Sequence, residues 1–384
     1  MATVRVRVRD LAMRRLKTKP RPNWKQTVES QGLHYHTFDD QLYWDESACY
    51  QFDEHEIDAL EQATYALDGM CLNAVETVIR ERRWDLFRVA PVYRDWICTS
   101  WDSDRQTIVG RFDFAYDGQG PPKMLEYNAD TPTGLLEAAA IQWYWLQDCC
   151  SDMDQFNSIH DRLVEAWQRF LAESSGVLYF LSTEGHVEDY MNVNYLRDTA
   201  IQAGARTEYL TIEELGFDER LEQFVDGQNQ AIMSAFKLYP WEWMLDEAFG
   251  KHLVYTKIKW LEPPWKILLS NKAIMSVLWE LYPESPYLLE TSMSPIVGDY
   301  VRKPCQSREG QGVEISVSGQ VLAGKHESDT GVVYQRYNAI RKFDGQTPVI
   351  GSWMINGYSA GIGIREDDGL ITGNDSRFVP HFFG

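Results

Sequence analysis

From 54 to 82 the chain reads EHEIDALEQATYALDGMCLNAVETVIRER, with apolar residues every three or four positions. That is the period of a helix buried along one face, so a long amphipathic scaffold helix is predicted. TGLLEAAAIQWYWLQDCC predicts a second helix, capped by Thr133 and apolar enough to be buried deeply. A third helical pattern spans about 155–172. GVLYFLSTEGHVEDYMNVNYLRDTAIQAGARTEYLTIEEL then alternates strand, loop, helix and strand, which predicts a small α/β lobe over 171–235. Its first loop carries Thr183, Glu184, Glu188 and Asp189 at a strand's carboxyl end, where open α/β sheets commonly receive ligands, although an ordinary solvated loop reads the same way.

AIMSAFKLYPWEWML is too aromatic for a solvated linker. In WLEPPWKILLSNKAIMSVLWELYPESPYLLE, the prolines and Trp265 make a rigid entry, and Asn271 precedes a helix beginning near Lys272. From about 299 onward, apolar and polar residues alternate across glycine-rich turns, so the final third is mostly β. The fold class is therefore α+β, without internal repeats or low-complexity segments.

Composition narrows the classes. The 384 residues are 44% hydrophobic and 24% charged, which supplies a large core, and no apolar run approaches the ~18 residues of a membrane span. A soluble protein is expected. Six cysteines (Cys49, Cys71, Cys98, Cys149, Cys150 and Cys305) lack CxxC or Cys/His ligand spacing, which points to reduced core thiols in a cytoplasmic protein. Net charge is −20, but the first 25 residues carry nine basic side chains against Asp10, leaving the rest at −28. Residues 1–20 read as a basic arm, either a mobile tail or an added edge strand, because TVRVRVR alternates with period two. The acidic body disfavours nucleic acid and suits a cationic small molecule; simple solubility explains it equally.

The chemistry concentrates in GRFDFAYDGQGPPKMLEYNADTPTG, residues 110–134. Side chains two apart on a strand share a face, so Arg111 and Asp113 point together, as do Glu126 and Asn128. If the strands pair across DGQGPPK, the four converge. Asp113, Glu126 and Asn128 offer hard oxygen ligands of the kind magnesium prefers beside phosphate oxygens and water. Arg111, permanently charged and fork-shaped, suits the charge of a transferring phosphoryl group. The plainer reading is a surface salt-bridge ladder worth about 0–1 kcal/mol.

A nucleotide needs further parts. In YVRKPCQSREGQGVEI, Lys303 sits on a strand before a loop with Ser307, Arg308, Gly310 and Gly312, where backbone N–H groups could approach phosphates. Alone, this is also an ordinary hairpin turn. Lys272 and Lys303 flank one helix–strand unit, and there is no Walker A or protein-kinase signature.

Together, GRFDFAYDGQGPPKMLEYNADTPTG, SNKAIMSVLWELYP, YVRKPCQSREG and VIGSWMINGYSAGIGIRED resemble the synthetase domain of glutathionylspermidine synthetase and its stand-alone bacterial homologues described as acid–amine ligases. The resemblance runs from about residue 21 to residue 384 and implies an ATP-grasp fold, with 271–345 as its nucleotide and lid region. No counterpart of the amidase domain of the bifunctional enzymes is expected.

It implies ATP and Mg2+ as cofactors, Asp113, Glu126 and Asn128 as metal ligands, and Arg111 as the transition-state arginine, with Arg365 a second arginine near the phosphates. Arg111, Asp113, Lys272 and Lys303 would contact ATP. Glu309 and Gly310 match a phosphate lid, Gln335, Arg336, Tyr337 and Asn338 the strand that meets adenine, and Leu370, Ile371 and Thr372 the nucleotide pocket. On the substrate side the resemblance assigns Thr131, Thr133, Glu188 and Asp189. Thr131 and Thr133 replace serines, Leu238 stands where the synthetase has threonine, and Arg377 stands at an acidic position for which Asp375 could compensate.

The implied activity is amide-bond formation through an acyl phosphate. The partners are a small carboxylic acid, a peptide among the candidates, and an amine, a polyamine among them; nucleic acid and membrane are not expected, and a homodimer is open. Two rivals remain at this level: a magnesium–ATP-binding homologue without turnover, and a carbohydrate-binding or structural protein rich in tryptophan.

Overall fold

The computed structural model describes residues 13–38, 40–324, 331–373 and 376–384. TVRVRVR and Asp375 lie outside the described residues. The architecture is mixed α+β, with two antiparallel five-stranded sheets, a parallel four-stranded sheet and smaller pieces. Among the described residues, no helix is long and apolar enough to cross a membrane.

The predicted scaffold helix is Glu54–Arg80. Asp53 and Glu56 start it with a reciprocal cap: the Glu56 N–H donates to Asp53 at 2.8 Å and the Asp53 N–H to the Glu56 carboxylate at 3.0 Å. Its apolar stripe, including Leu60, Leu67, Val75 and Val78, is fully buried. It packs on the helix Ile274–Leu281 and on a central sheet, to which Thr64 is tied through a 2.7 Å hydroxyl contact with Ser352.

The central sheet runs, in spatial order, Arg377–Val379, Tyr358–Asp367, Thr347–Ile355, Val109–Ala115 and Lys123–Asn128. Its last two strands are the hairpin read from sequence. Phe112 turns inward and stacks on Tyr127 with centroids 3.8 Å apart, and Phe114 is buried beside it. Strand alternation therefore leaves Arg111 and Asp113 on the opposite face.

A second sheet orders Thr291–Ser292, Val332–Arg336, Tyr300–Pro304, Glu314–Val317 and Gln320–Gly324 and carries the glycine loop, so the final third is β-rich as expected. The third sheet is parallel: Lys259–Leu261, Ser234–Lys237, Val177–Ser182 and Arg206–Thr211. Lys237, on that sheet, makes a 2.6 Å ion pair with Asp130 just beyond the hairpin, and both side chains are fully buried. Asp130 also accepts from the Trp241 N–H at 2.9 Å, so the pair fixes the hairpin's exit against the parallel sheet and the turn after it.

Arg14–Lys17 pairs with Ala48–Phe52, which pairs in parallel with His381–Phe383. Arg15 grips the buried Glu366 with two 2.8 Å hydrogen bonds, and Tyr50 donates to the same carboxylate at 2.7 Å. This part of the basic segment is thus an edge strand of the folded body.

Two expectations need correction. Cys49, Cys71 and Cys305 are buried, but Cys98 and Cys150 are only partly so and Cys149 is exposed, because it ends its helix facing outward. Thr133 does not cap the helix after the hairpin. The Leu135 N–H donates instead to Asn192 Oδ1 at 2.9 Å, from a helix far along the chain.

Candidate active site

The hairpin pairs in the register that convergence requires, with Arg111 opposite Asn128 and Asp113 opposite Glu126. A bulge follows Asp113, leaving Leu125 unpaired, and it turns the strand end toward a cleft of about 1260 Å3 between the sheets. Arg111, Asp113, Glu126 and Asn128 all line that cleft.

Arg111 donates to both oxygens of Asp113, at 2.6 and 2.9 Å, and to the Thr133 carbonyl at 2.5 Å. Gly351, opposite Asp113 on the neighbouring strand, makes room for it: a Cβ at 351 would lie 2.8 Å from Arg111 Cδ. Asn128 Nδ2 donates to Asp113 at 3.2 Å and to Glu126 at 3.3 Å, so the three side-chain ends meet. Among the described residues there is no group of three or more His, Cys, Asp or Glu suited to a metal. Two carboxylates and one amide nonetheless fit magnesium, a hard cation whose remaining positions phosphate oxygens and water fill.

Lys272 Nζ pairs with Glu126 at 3.2 Å and donates to the Ser307 carbonyl at 2.7 Å. Lys303 Nζ donates to the Leu125 carbonyl at 2.9 Å and to Gln335 Oε1 at 2.7 Å. Burial would raise Glu126, but the charges of Lys272, Lys303 and Arg111 outweigh it and hold the carboxyl below the usual range. Burial pushes Lys303 down to about 8, helped by Lys272 and opposed by Glu126 and Asp113.

The loop after Lys303 folds over this floor. Glu309 and Gly310 have left-handed backbones, with φ of 53° and 70°. A Cβ at 310 would lie 2.6 Å from Ile371 Cγ2 and 2.8 Å from the Thr372 carbonyl oxygen. Arg308, on the same loop, crosses the cleft to hydrogen-bond Thr131 and to reach Glu242 at 3.3 Å.

Gln335, Arg336, Tyr337 and Asn338 line the cleft, but the Gln335 side chain is spent on Lys303 and on the Met124 carbonyl at 3.2 Å. The Arg336 and Tyr337 N–H groups already donate to the Glu290 and Asp299 carbonyls, at 2.7 and 3.1 Å. Leu370 and Thr372 also line the cleft; Ile371 is not part of the lining and packs against the glycine loop. Arg365 lines it and donates to the Gly373 carbonyl.

Thr131, Thr133, Glu188, Asp189 and the buried Leu238 line the same cleft. Glu188 and Asp189 are not on the loop where sequence put them: they form the first turn of the helix Val187–Gln202. Arg377 is not part of the cleft lining and is taken up by Gln346 at 2.6 Å and Glu366 at 3.2 Å.

Sequence reasoning missed Gly351, Glu242 and Glu137. Glu137 is fully buried in a π-helical turn, Glu137–Ile141, and its Oε1 accepts from the Tyr35 and Tyr43 hydroxyls at 2.9 and 2.6 Å. The one signal for it is a lone carboxylate in the apolar run LLEAAAI.

Residues 15–384 match the family described as glutathionylspermidine synthase preATP-grasp. A Haemophilus influenzae protein named "Putative acid–amine ligase" is 38% identical over 385 residues, covering 94% of this chain and 97% of that one. Trypanothione synthetase from Crithidia fasciculata is 30% identical over 316 residues, 73% of this chain and 48% of its own. The bifunctional glutathionylspermidine synthetase/amidase of Escherichia coli is 25% identical over 357 residues, 84% of this chain and 57% of its own. The chain thus spans about half the length of these last two. It belongs to the glutathionylspermidine synthase family, and so to the ligases that form carbon–nitrogen bonds.

Proposed function

We propose that the protein is an ATP-dependent acid–amine ligase of the ATP-grasp type that forms an amide through an acyl phosphate. The observation that carries this is the convergence of Arg111, Asp113, Glu126 and Asn128 beside Lys272 and Lys303 in a cleft that Glu188 and Asp189 also line. Residues 271–345 act as the nucleotide and lid region, and 171–235 as the core of the substrate lobe.

ATP lies with its phosphates over Lys272, Lys303, Arg111, Asp113 and the Glu309–Gly310 turn. Its adenine sits toward Gln335, Arg336, Tyr337 and Asn338, with Leu370 and Thr372 closing the pocket and Ile371 bracing the lid behind it. Asp113, Glu126 and Asn128 would hold Mg2+, which when bound neutralises phosphate charge. Arg111 and Arg365 stabilise the transferring phosphoryl group electrostatically. The substrate carboxylate attacks the γ-phosphorus, ADP departs, and the amine then displaces phosphate from the acyl carbon.

The acid, a small carboxylate or peptide, binds near Thr131 and Thr133. A cationic amine, such as a polyamine, approaches Glu188 and Asp189. Water competes with the amine, which is why the 307–312 loop must close before transfer.

A matrix of acids and amines, glutathione and spermidine among them, tests this with ADP release and product mass as readouts. The reading expects ADP formation that needs both substrates and an amide of matching mass. Magnesium–ATP binding without ADP formation for any pair would leave a binding protein instead.

A further inference from the structure

The acidic pair Glu188 and Asp189 in the cleft lining does more than dock positive charge. Glu188 lines the cleft at the first turn of its helix, facing Thr133 and Arg365. Behind it lies Glu137, which no aspect of ATP binding uses. Glu137 Oε1 accepts from Tyr35 and Tyr43, while its buried Oε2 has no hydrogen-bond partner. Asn192 links the backbone at Glu188 to the tyrosine that holds Glu137: its Nδ2 donates to the Glu188 backbone carbonyl at 2.9 Å and to the Tyr35 hydroxyl at 3.3 Å, and its Oδ1 accepts from Leu135 N. A π-helical turn aims Glu137 inward, a distortion that recurs at functional sites.

We propose that Glu188 accepts the proton of the incoming amine, and that Glu137 is the positioning residue that decides when Glu188 is ionised. The inference rests on the ligase reading above. Two neighbouring buried carboxylates do not both ionise readily; burial raises Glu137 as well, and the Tyr43 and Tyr35 hydroxyls and Arg365 only partly offset that rise, so the charge state of Glu137 governs the ionisation of Glu188. Glu188 is accordingly raised to about 7, by burial first and by Glu137 next, against Arg365 and with Asp189 adding to the rise. Its helix N-terminus and the Thr133 hydroxyl favour ionisation but are outweighed. The remaining charged or titratable groups around this corner are Tyr35, Tyr43, and, around Asp189, His186, Arg308 and Glu309.

The step balances. The substrate ammonium gives one proton to the Glu188 carboxylate, and the neutral amine's lone pair attacks the acyl carbon. The C–O bond to phosphate breaks with its electron pair, and the second proton leaves nitrogen for the departing phosphate. Glu188 then returns its proton to solvent. An ordinary alkylammonium has a pKa of about 10, so an acceptor near neutrality handles this proton far better than an exposed glutamate at about 4. Asp189 is left to hold a second positive charge of the substrate.

The test uses the whole protein. In pH-difference infrared spectra, the parent should show a protonated carboxyl that ionises near neutral pH, is absent in Glu188→Gln, and ionises about one to two pH units lower in Glu137→Gln. Tyr43→Phe removes a donor from Glu137 and should move the same signal downward, which covers the case in which Glu137→Gln fails to fold. With acids from the matrix above, Glu188→Gln should lower kcat with spermidine on the order of 100-fold or more. Hydroxylamine is neutral near pH 7 and needs no base, so hydroxamate formation should persist in that variant. A neutral-range carboxyl signal unchanged in Glu188→Gln, or equal losses with spermidine and hydroxylamine, would overturn the proposal. No hydroxamate from the parent with any acid, despite the expected infrared signal, would overturn the ligase reading itself and the proton-transfer role with it.

Discussion

Arg111 and Asp113, two positions apart on one strand, form a two-pronged ion pair of 2.6 and 2.9 Å, with Arg111 held on its other side by the Thr133 carbonyl. The group proposed to meet the phosphoryl is thus oriented by a group proposed to meet the metal. Arg111→Lys keeps the charge but loses the fork, so it should lower turnover nearly as much as Arg111→Ala, on the order of 100-fold. Asp113→Asn and Glu126→Gln should do the same to magnesium-dependent ADP formation with little change in far-ultraviolet circular dichroism. Normal ATP turnover in a folded Asp113→Asn protein would remove the site assignment.

Gly351 makes an independent test of the same geometry. A methyl group there would lie 2.8 Å from Arg111 Cδ, so Gly351→Ala should push the guanidinium out of line while touching no substrate. Steady-state kinetics should show a loss of about 10-fold or more in kcat, with the KM for ATP changing less, because a small displacement of an oriented group costs rate. Unchanged kcat would mean that Arg111 does not need its present position.

These residues were legible to different degrees. Period-two alternation fixes both faces of a strand, so the hairpin's four polar side chains could be placed together from sequence. The bulge that aims them is a single extra residue, Leu125, which alternation does not reveal. Glu188 and Asp189 read as loop because helix starts are blurred in sequence, although acidic residues in a first turn suit the helix dipole. Glu137 was hidden by its apolar neighbours; its partners Tyr35 and Tyr43 are about a hundred residues away in the chain, and local patterns carry no such information.

The glycine loop gives a conformational prediction. Gly310 has a left-handed backbone, and its α-carbon sits where a Cβ would meet Ile371 and the Thr372 carbonyl. Gly310→Val therefore combines backbone strain with a steric clash and should lower ATP-dependent turnover at least 10-fold. In the parent, limited proteolysis within 307–312 should slow when a nonhydrolysable ATP analogue and magnesium are present. Equal cleavage with and without nucleotide would count against a closing lid.

If Lys303 contacts ATP as proposed, nucleotide binding should be sensitive to pH. Its ammonium is pushed down to about 8 by burial, so without nucleotide the charge is lost as pH rises through that value. Phosphate oxygens favour the charged form, and bound ATP should raise this pKa. Affinity for magnesium–ATP should therefore fall from pH 7 to pH 9, with a net proton taken up on binding near pH 8. Calorimetry in buffers of different ionisation enthalpy reads that proton directly. Binding that is flat across this range, or that strengthens with pH, would contradict the contact.

The acceptor end carries the last prediction. Asp189 lines the cleft and is raised above the usual carboxylate range, mainly by burial, while His186 and Arg308 pull it back down. If it holds a second positive charge of the amine, Asp189→Asn should raise the KM for a polyamine about 10-fold while leaving kcat and the KM for ATP nearly unchanged. The proposed ATP contacts lie on the hairpin, the lid sheet and the 370–372 segment, on other elements than this helix turn. Added salt should raise the parent's KM for the amine and affect the variant less, because substitution removes the attraction that salt screens. Glu188→Gln should behave differently and lose kcat. If Asp189→Asn and Glu188→Gln had the same kinetic signature, the acidic pair would be one electrostatic patch, and the division between a proton acceptor and a cation anchor would fail.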